Sequence, residues 1–121
     1  MIMKNSAIIL AIIFLFSSCS KNENEKKVIY MVTNSMAGFN VSYADENGDL
    51  TSQYITVNSA NEKKNIYSFT GNTGDIVYIS VKDTATYSFP KIYIFVDGKV
   101  YKQDARTEQK LMPVTVSGTI P

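Results

Sequence analysis

Three short patterns in this chain hold residue types that chemistry requires. Asp45, Asn47 and Asp49 set oxygen ligands at alternate positions beside Gly48, as a hard cation such as calcium demands. Ser88 and Lys91 stand at the Ser-x-x-Lys spacing of serine-lysine hydrolases. Gly71-Asn-Thr-Gly74-Asp75 offers glycines of the kind that line a phosphate cradle. Each pattern lacks a part. The twelfth position of an EF-hand loop, where a carboxylate is needed, is Thr56, and the surrounding alternation forbids the flanking helices. Ser88 and Lys91 would have to share a helical face, and Pro90 before a strand breaks that register. The glycine segment has no following helix or lysine, which leaves a hairpin-type connection. The chain also contains no His and no Trp. Triads, Cys-His pairs and histidine metal sites are thereby excluded, and no side chain titrates near neutrality without a large perturbation. The expectation is a binding or structural module that is not an enzyme and has no catalytic residue, metal or cofactor.

The single cysteine has a position that explains it. Met1 to Ser18 reads as a secretory signal, with Lys4 as its positive start, Ala7 to Phe16 as its apolar core, and small residues before Cys19. The apolar run is about half of the ~20 residues a spanning helix needs, and it ends in serines. Apolar core, small residues, then Cys resembles the lipobox of bacterial lipoproteins, which makes Cys19 the lipidation site and the acylated (palmitate-bearing) first residue of the mature chain. Ser20 to Lys27 has no apolar residue and reads as a flexible tether, so the expected division is 1–18 signal, 19–27 lipidated cysteine and tether, and 28–121 folded domain. Lys21, Glu23 and Glu25 resemble the charged surface-export signal of Bacteroidetes lipoproteins, and they fit a solvated linker equally well. The whole chain carries 12 Lys and Arg against 11 Asp and Glu, a balance that removal of Lys4 makes even. No basic stripe stands out, so nucleic acid is not an expected partner. The expected location is the cell envelope, lipid-anchored at the outer membrane, on its periplasmic face or at the cell surface.

The elements that must position any site are strands. Beyond Val28, short runs of β-branched and aromatic residues recur between turn signals, and helical periodicity never lasts. Val28–Thr33 is continuously apolar, as in a strand buried on both sides. Phe39, Val41 and Tyr43 alternate with polar residues, and Asn47-Gly48 supplies positive φ for a hairpin into Leu50–Val57. Asn65–Thr70 follows a polar loop. Ile76–Lys82 and Lys91–Val96 are the most apolar and belong at sheet centres, with Val77, Ile79, Val81, Ile92, Ile94 and Val96 inward. Asp97-Gly98 closes a hairpin onto Lys99–Asp104, and Met112–Ile120 is a last strand with Val114, Val116 and Ile120 inward, in which Pro113 marks an edge or a strand beginning. Eight candidate strands without a helix predict an all-β, antiparallel, immunoglobulin-like β-sandwich of seven or eight strands.

The same alternation turns Tyr78, Tyr93 and Phe95 outward, where they form a candidate interaction surface or pair across strands to stabilise a sheet. A flat, contiguous aromatic face would suit a protein partner, and a concave site rimmed by loops would suit a glycan or small molecule. Asp83-Thr84-Ala85 resembles the short pattern at which Bacteroidetes attach O-glycans, which makes Thr84 a candidate O-glycosylation site.

From Gly74 onward the chain resembles the MmpS family, small accessory proteins of mycobacterial membrane transporters. The residues that carry this are Gly74-Asp75-Ile-Val-Tyr78-Ile-Ser80, Ile92-Tyr-Ile-Phe-Val-Asp97-Gly98-Lys-Val-Tyr-Lys102 and Val116-Ser-Gly118-Thr-Ile120, with Val41-Ser-Tyr43 and Asn47-Gly48 fitting more loosely. The resemblance implies an immunoglobulin-like sandwich with a protein-binding, accessory role. It departs at the anchor, a lipid in place of a transmembrane helix, and at the loop Lys82–Pro90.

Overall fold

In the computed structural model, which describes residues 23–59, 62–109 and 111–121, the alternating segments become eight antiparallel strands. They are β1 (Glu25–Thr33), β2 (Phe39–Ala44), β3 (Leu50–Ile55), β4 (Lys64–Asn72), β5 (Ile76–Asp83), β6 (Lys91–Val96), β7 (Lys99–Ala105) and β8 (Val114–Thr119). The signal segment, Cys19 and the tether residues 20–22 lie outside the described residues.

The strands form two four-stranded sheets, ordered β4-β1-β6-β7 and β3-β2-β5-β8. Their facing sides share one apolar core, in which Val28, Val32, Ile92 and Ile94 of the first sheet meet Phe39, Val41, Val77, Ile79 and Val81 of the second. The β4-β1 and β2-β5-β8 adjacencies repeat those of strands B and E, and of C, F and G, in an immunoglobulin sandwich. The β6-β7 hairpin, inserted in chain order between β5 and β8, fills the place beside β1. The expected positions of β5 and β6 at sheet centres hold, and Pro113 immediately precedes β8, which lies at an edge.

Local turn chemistry explains the two hairpins. At β6-β7, Asp97 and Gly98 both have positive φ, 49° and 78°, which is the two-residue turn whose twist matches its strands. At β2-β3 only Gly48 has positive φ. There the Asp45 carboxylate accepts from the Asn47 and Asp49 amides at 2.9 and 3.0 Å, so this acidic turn uses its carboxylate to hold its own backbone.

Three expectations need correction. β1 begins at Glu25, so Glu25–Lys27, expected as tether, belong to the folded unit, which begins before residue 28. Backbone bonds hold these polar residues: Glu25, Lys26 and Lys27 pair with Asn72, Gly71 and Thr70, and the Lys27 amide donates to Asp97 at 2.8 Å. Val28–Thr33 is buried on one face only, with Val28, Tyr30 and Val32 inside and Ile29 and Met31 half-buried outside, because each sheet of a sandwich has a single inner face. The segment Gly71–Asp75 is not a hairpin. Gly71 and Asn72 finish β4, and Thr73–Asp75 crosses between sheets, with Gly74 at φ 93°. Its backbone also holds the residue before β1 and the one after β8, Thr73 bonding to Asn24 and Gly74 to Ile120.

Tyr30 links the sheets. Its phenol, fully buried, donates to the Ala44 carbonyl at 2.7 Å and accepts from the Tyr78 amide at 3.3 Å. Desolvation on burial pushes it up to about 12 from its usual 10.0. Tyr30→Phe leaves a buried carbonyl and amide without this partner, so urea unfolding at neutral pH should show a loss of about 1–3 kcal/mol. The folded state holds the phenolic proton more tightly than the unfolded chain. That stabilisation is complete below pH 10 and falls as pH rises from 10 towards 12, and Tyr30→Phe should flatten this part of the alkaline stability profile.

Candidate functional site

The three aromatic residues of the expected interaction surface do not lie together. Tyr78 is on β5, on the outer face of the second sheet, whereas Tyr93 and Phe95 are on β6, on the outer face of the first. Alternation dictates that each points outward but says nothing about which sheet its strand joins.

On the first sheet Tyr93 and Phe95 stack, with centroids 5.8 Å apart and planes at 22°. Register builds a patch around them. Ile29 lies opposite Phe95, and Met31 opposite Tyr93, on β1, while Val100 and Gln103 lie opposite Phe95 and Tyr93 on β7. The result is an aliphatic and aromatic band on the central strands, reaching Val100 on β7. Two open depressions flank Tyr93. One, of about 420 Å³, is lined by Met31, Thr33, Asn34, Lys63, Lys91 and Tyr93; the other, of about 220 Å³, by Lys91, Tyr93, Gln103, Asp104 and Ala105.

The outer face of the second sheet is of different chemistry. Ser52, Ser42, Ser80 and Thr115 stand side by side across all four strands, bonded in pairs at 2.8 Å (Ser42 to Ser52) and 2.7 Å (Ser80 to Thr115). Tyr78, one row away opposite Ser117, lies on the same face of β5 between Ser80 and the exposed Ile76.

Polar residues at one end of the sandwich were not foreseen. Ser35, Asp83, Ser88 and Arg106 are all buried. Ser35 Oγ donates to Asp83 at 2.8 Å and lies 3.2 Å from Ser88 Oγ, which accepts from the Met36 amide at 2.7 Å. Arg106 donates to the carbonyls of Ala85, Ser88 and Glu108 at 2.7 to 3.0 Å, and its guanidinium lies over the Phe89 ring. It thereby ties the loop after β5 to the loop after β7. The four residues come from separate segments, so no local pattern announces the cluster. Ser88, at 0% exposure, is committed to this network, while Lys91 is exposed; the Ser-x-x-Lys spacing is not a joint site. Thr84 is exposed, and its hydroxyl donates to the Gly38 carbonyl at 2.7 Å. Among the described residues, no three His, Cys, Asp or Glu side chains gather to hold a metal.

At the opposite end, Tyr67 stacks on Tyr43 with centroids 4.9 Å apart and donates to Glu46. That bond to Glu46 raises the Tyr67 phenol to about 12.

The chain matches no known protein-family model, and no curated protein matches it.

Tyr93, half-buried on β6, faces Met31 and Gln103 across the strands, and a cross-strand pair on a sheet face contributes roughly 0.2–1 kcal/mol. Tyr93→Thr should therefore lower stability by no more than about 1 kcal/mol in urea unfolding, whereas Arg106→Met, which leaves three carbonyls without their charged donor, should cost about 2 kcal/mol or more.

Proposed function

We propose that this chain is a non-catalytic lipoprotein of the cell envelope, anchored through Cys19, whose sandwich presents the outer face of its β4-β1-β6-β7 sheet to a protein partner. The observation that carries this reading is the band of Ile29, Met31, Tyr93, Phe95 and Val100. Aromatic side chains and methionine are enriched in protein interfaces, and apolar residues continuous across strands on an outer sheet face have no role in the inner core. The accessory role implied by the MmpS resemblance fits a module that works by contact. A second reading takes a glycan or small molecule as ligand in the depressions beside Tyr93, where Lys91, Gln103 and Asp104 would supply polar contacts. Their openness favours a broad protein contact over an enclosed ligand.

Lipid anchoring predicts that Cys19→Ala moves the protein from the membrane fraction to the soluble fraction; unchanged partitioning into detergent contradicts it. Affinity capture of the native protein from its envelope should recover a protein partner that Tyr93→Lys loses while the variant remains folded. O-glycosylation at Thr84, which would cost its bond to Gly38, should add sugar mass to the native protein that Thr84→Ala lacks.

A further inference from the structure

Sheet order places β4, β7, β3 and β8 at edges, and sandwiches guard such edges against pairing with charge, proline or bulges. β4 begins with Lys64 and has a register shift opposite Tyr30 and Met31. β7 carries Lys99, Lys102 and Asp104 and a shift beside Ile94 and Phe95. β8 follows Pro113 and contacts β7. β3 has none of these devices. Leu50-Thr-Ser-Gln-Tyr-Ile55 contains no charge, proline or glycine, and it pairs with β2 at every position without a shift.

The hydrogen-bond phase of β3 selects its occupant. The Asp45 amide donates to the Asp49 carbonyl, and antiparallel ladders exchange bonds at alternate pairs. Thr51, Gln53 and Ile55 thus bond inward to Tyr43, Val41 and Phe39. Leu50, Ser52 and Tyr54 direct their N–H and C=O groups to the free edge, and these three residues are symmetric about Ser52. Leu50 and Tyr54 are 68% and 55% exposed, and their side chains lie on the same outer face.

We propose that β3 pairs antiparallel with β3 of a second copy of this chain, about a two-fold axis through Ser52. Ser52 then faces Ser52 of the second copy, and Leu50 faces Tyr54 of the second copy on both sides of the axis. Each of these pairs can exchange two backbone hydrogen bonds, and each Leu-Tyr pair covers apolar surface that one copy leaves exposed. The hydroxyl row of Ser52, Ser42, Ser80 and Thr115 continues across both copies. Charge permits this orientation: the acidic turns holding Asp45, Glu46 and Asp49 lie at opposite ends, each beside residues 56–58 of the other copy. The contact is small beside a standard interface of ~1,200–2,000 Å², so the dimer dissociates on dilution.

Sedimentation velocity of the full chain in density-matched detergent, over a wide concentration series, tests this. The wild type should show a reversible monomer-dimer equilibrium. Ser52→Lys and Ser52→Glu, each placing like charges across the axis, should each weaken it about tenfold or more, and an equal mixture of the two should restore the dimer. Ser52 is exposed, and thermal unfolding of each variant checks that the fold is kept. A wild type that stays monomeric at the highest concentration, a Ser52→Lys series that coincides with wild type, or a mixture that fails to recover overturns the proposal.

Discussion

One hydroxyl group holds a position on which both sheets depend. The ladder between β2 and β5 runs through Asn40 opposite Lys82 and Ser42 opposite Ser80, and it is extended at one end by the Thr84 amide donating to Gly38. Two residues further along the series from Ser42 and Ser80, Ala44 and Tyr78 should exchange the next bond. The Tyr30 phenol, reaching across the core from β1, stands between them instead, taking the amide of one and giving its proton to the carbonyl of the other. A buried phenol with neither partner would be costly, and so would two buried backbone groups without the phenol. Each side satisfies the other. Around this bridge Tyr43 and Phe69 pack against the Tyr30 ring at 5.8 and 5.7 Å, so the cross-sheet hydrogen bonds and the aromatic packing reinforce one geometry.

The two ends of the sandwich are closed by polar side chains of different kinds. Near Tyr30, Tyr67 of the first sheet reaches the Glu46 carboxylate in the β2-β3 turn. At the far end Ser35, Asp83, Ser88 and Arg106 fasten loops to one another and to the end of β5. The loops at the far end also expose Met36, Tyr87, Leu111 and Met112, and the two outer sheet faces and the β3 edge offer further surface. They differ in chemistry. The first sheet offers a half-buried apolar and aromatic band, the second a row of hydroxyls flanked by exposed Leu50, Tyr54 and Ile76, and the β3 edge offers backbone. A partner protein on the first sheet and a second copy at β3 would occupy separate sheets, so the two proposals do not compete for one surface.

Much of this was legible in the residues. Apolar runs and alternation between turn signals located all eight strands, Asp97-Gly98 marked a turn that needs two positive φ angles, and Pro113 marked an edge or a strand beginning. What escaped was non-local. Glu25 to Lys27 look like tether because they have no apolar residue, yet their backbone pairs with β4. Tyr78 and Tyr93 both alternate outward, and only the sheet order separates them. The cluster around Arg106 is assembled from loops far apart in sequence. The apolar excess of Val28–Thr33 denotes a half-buried apolar outer face on β1, beside Tyr93 and Phe95, and not burial on both sides. A tyrosine in phase with Val28 and Val32 likewise implied a buried phenol in need of partners.

On the proposed function, a partner covers the outer face of the β4-β1-β6-β7 sheet when the protein sits in a cell envelope. Hydroxyl-radical footprinting of the full chain, compared between intact envelopes and the purified protein, tests this most directly. Met31, Tyr93 and Phe95 should lose reactivity in the envelope while Tyr78 and the exposed Tyr87 keep theirs. Equal labelling of Tyr93 and Phe95 in both settings would contradict it.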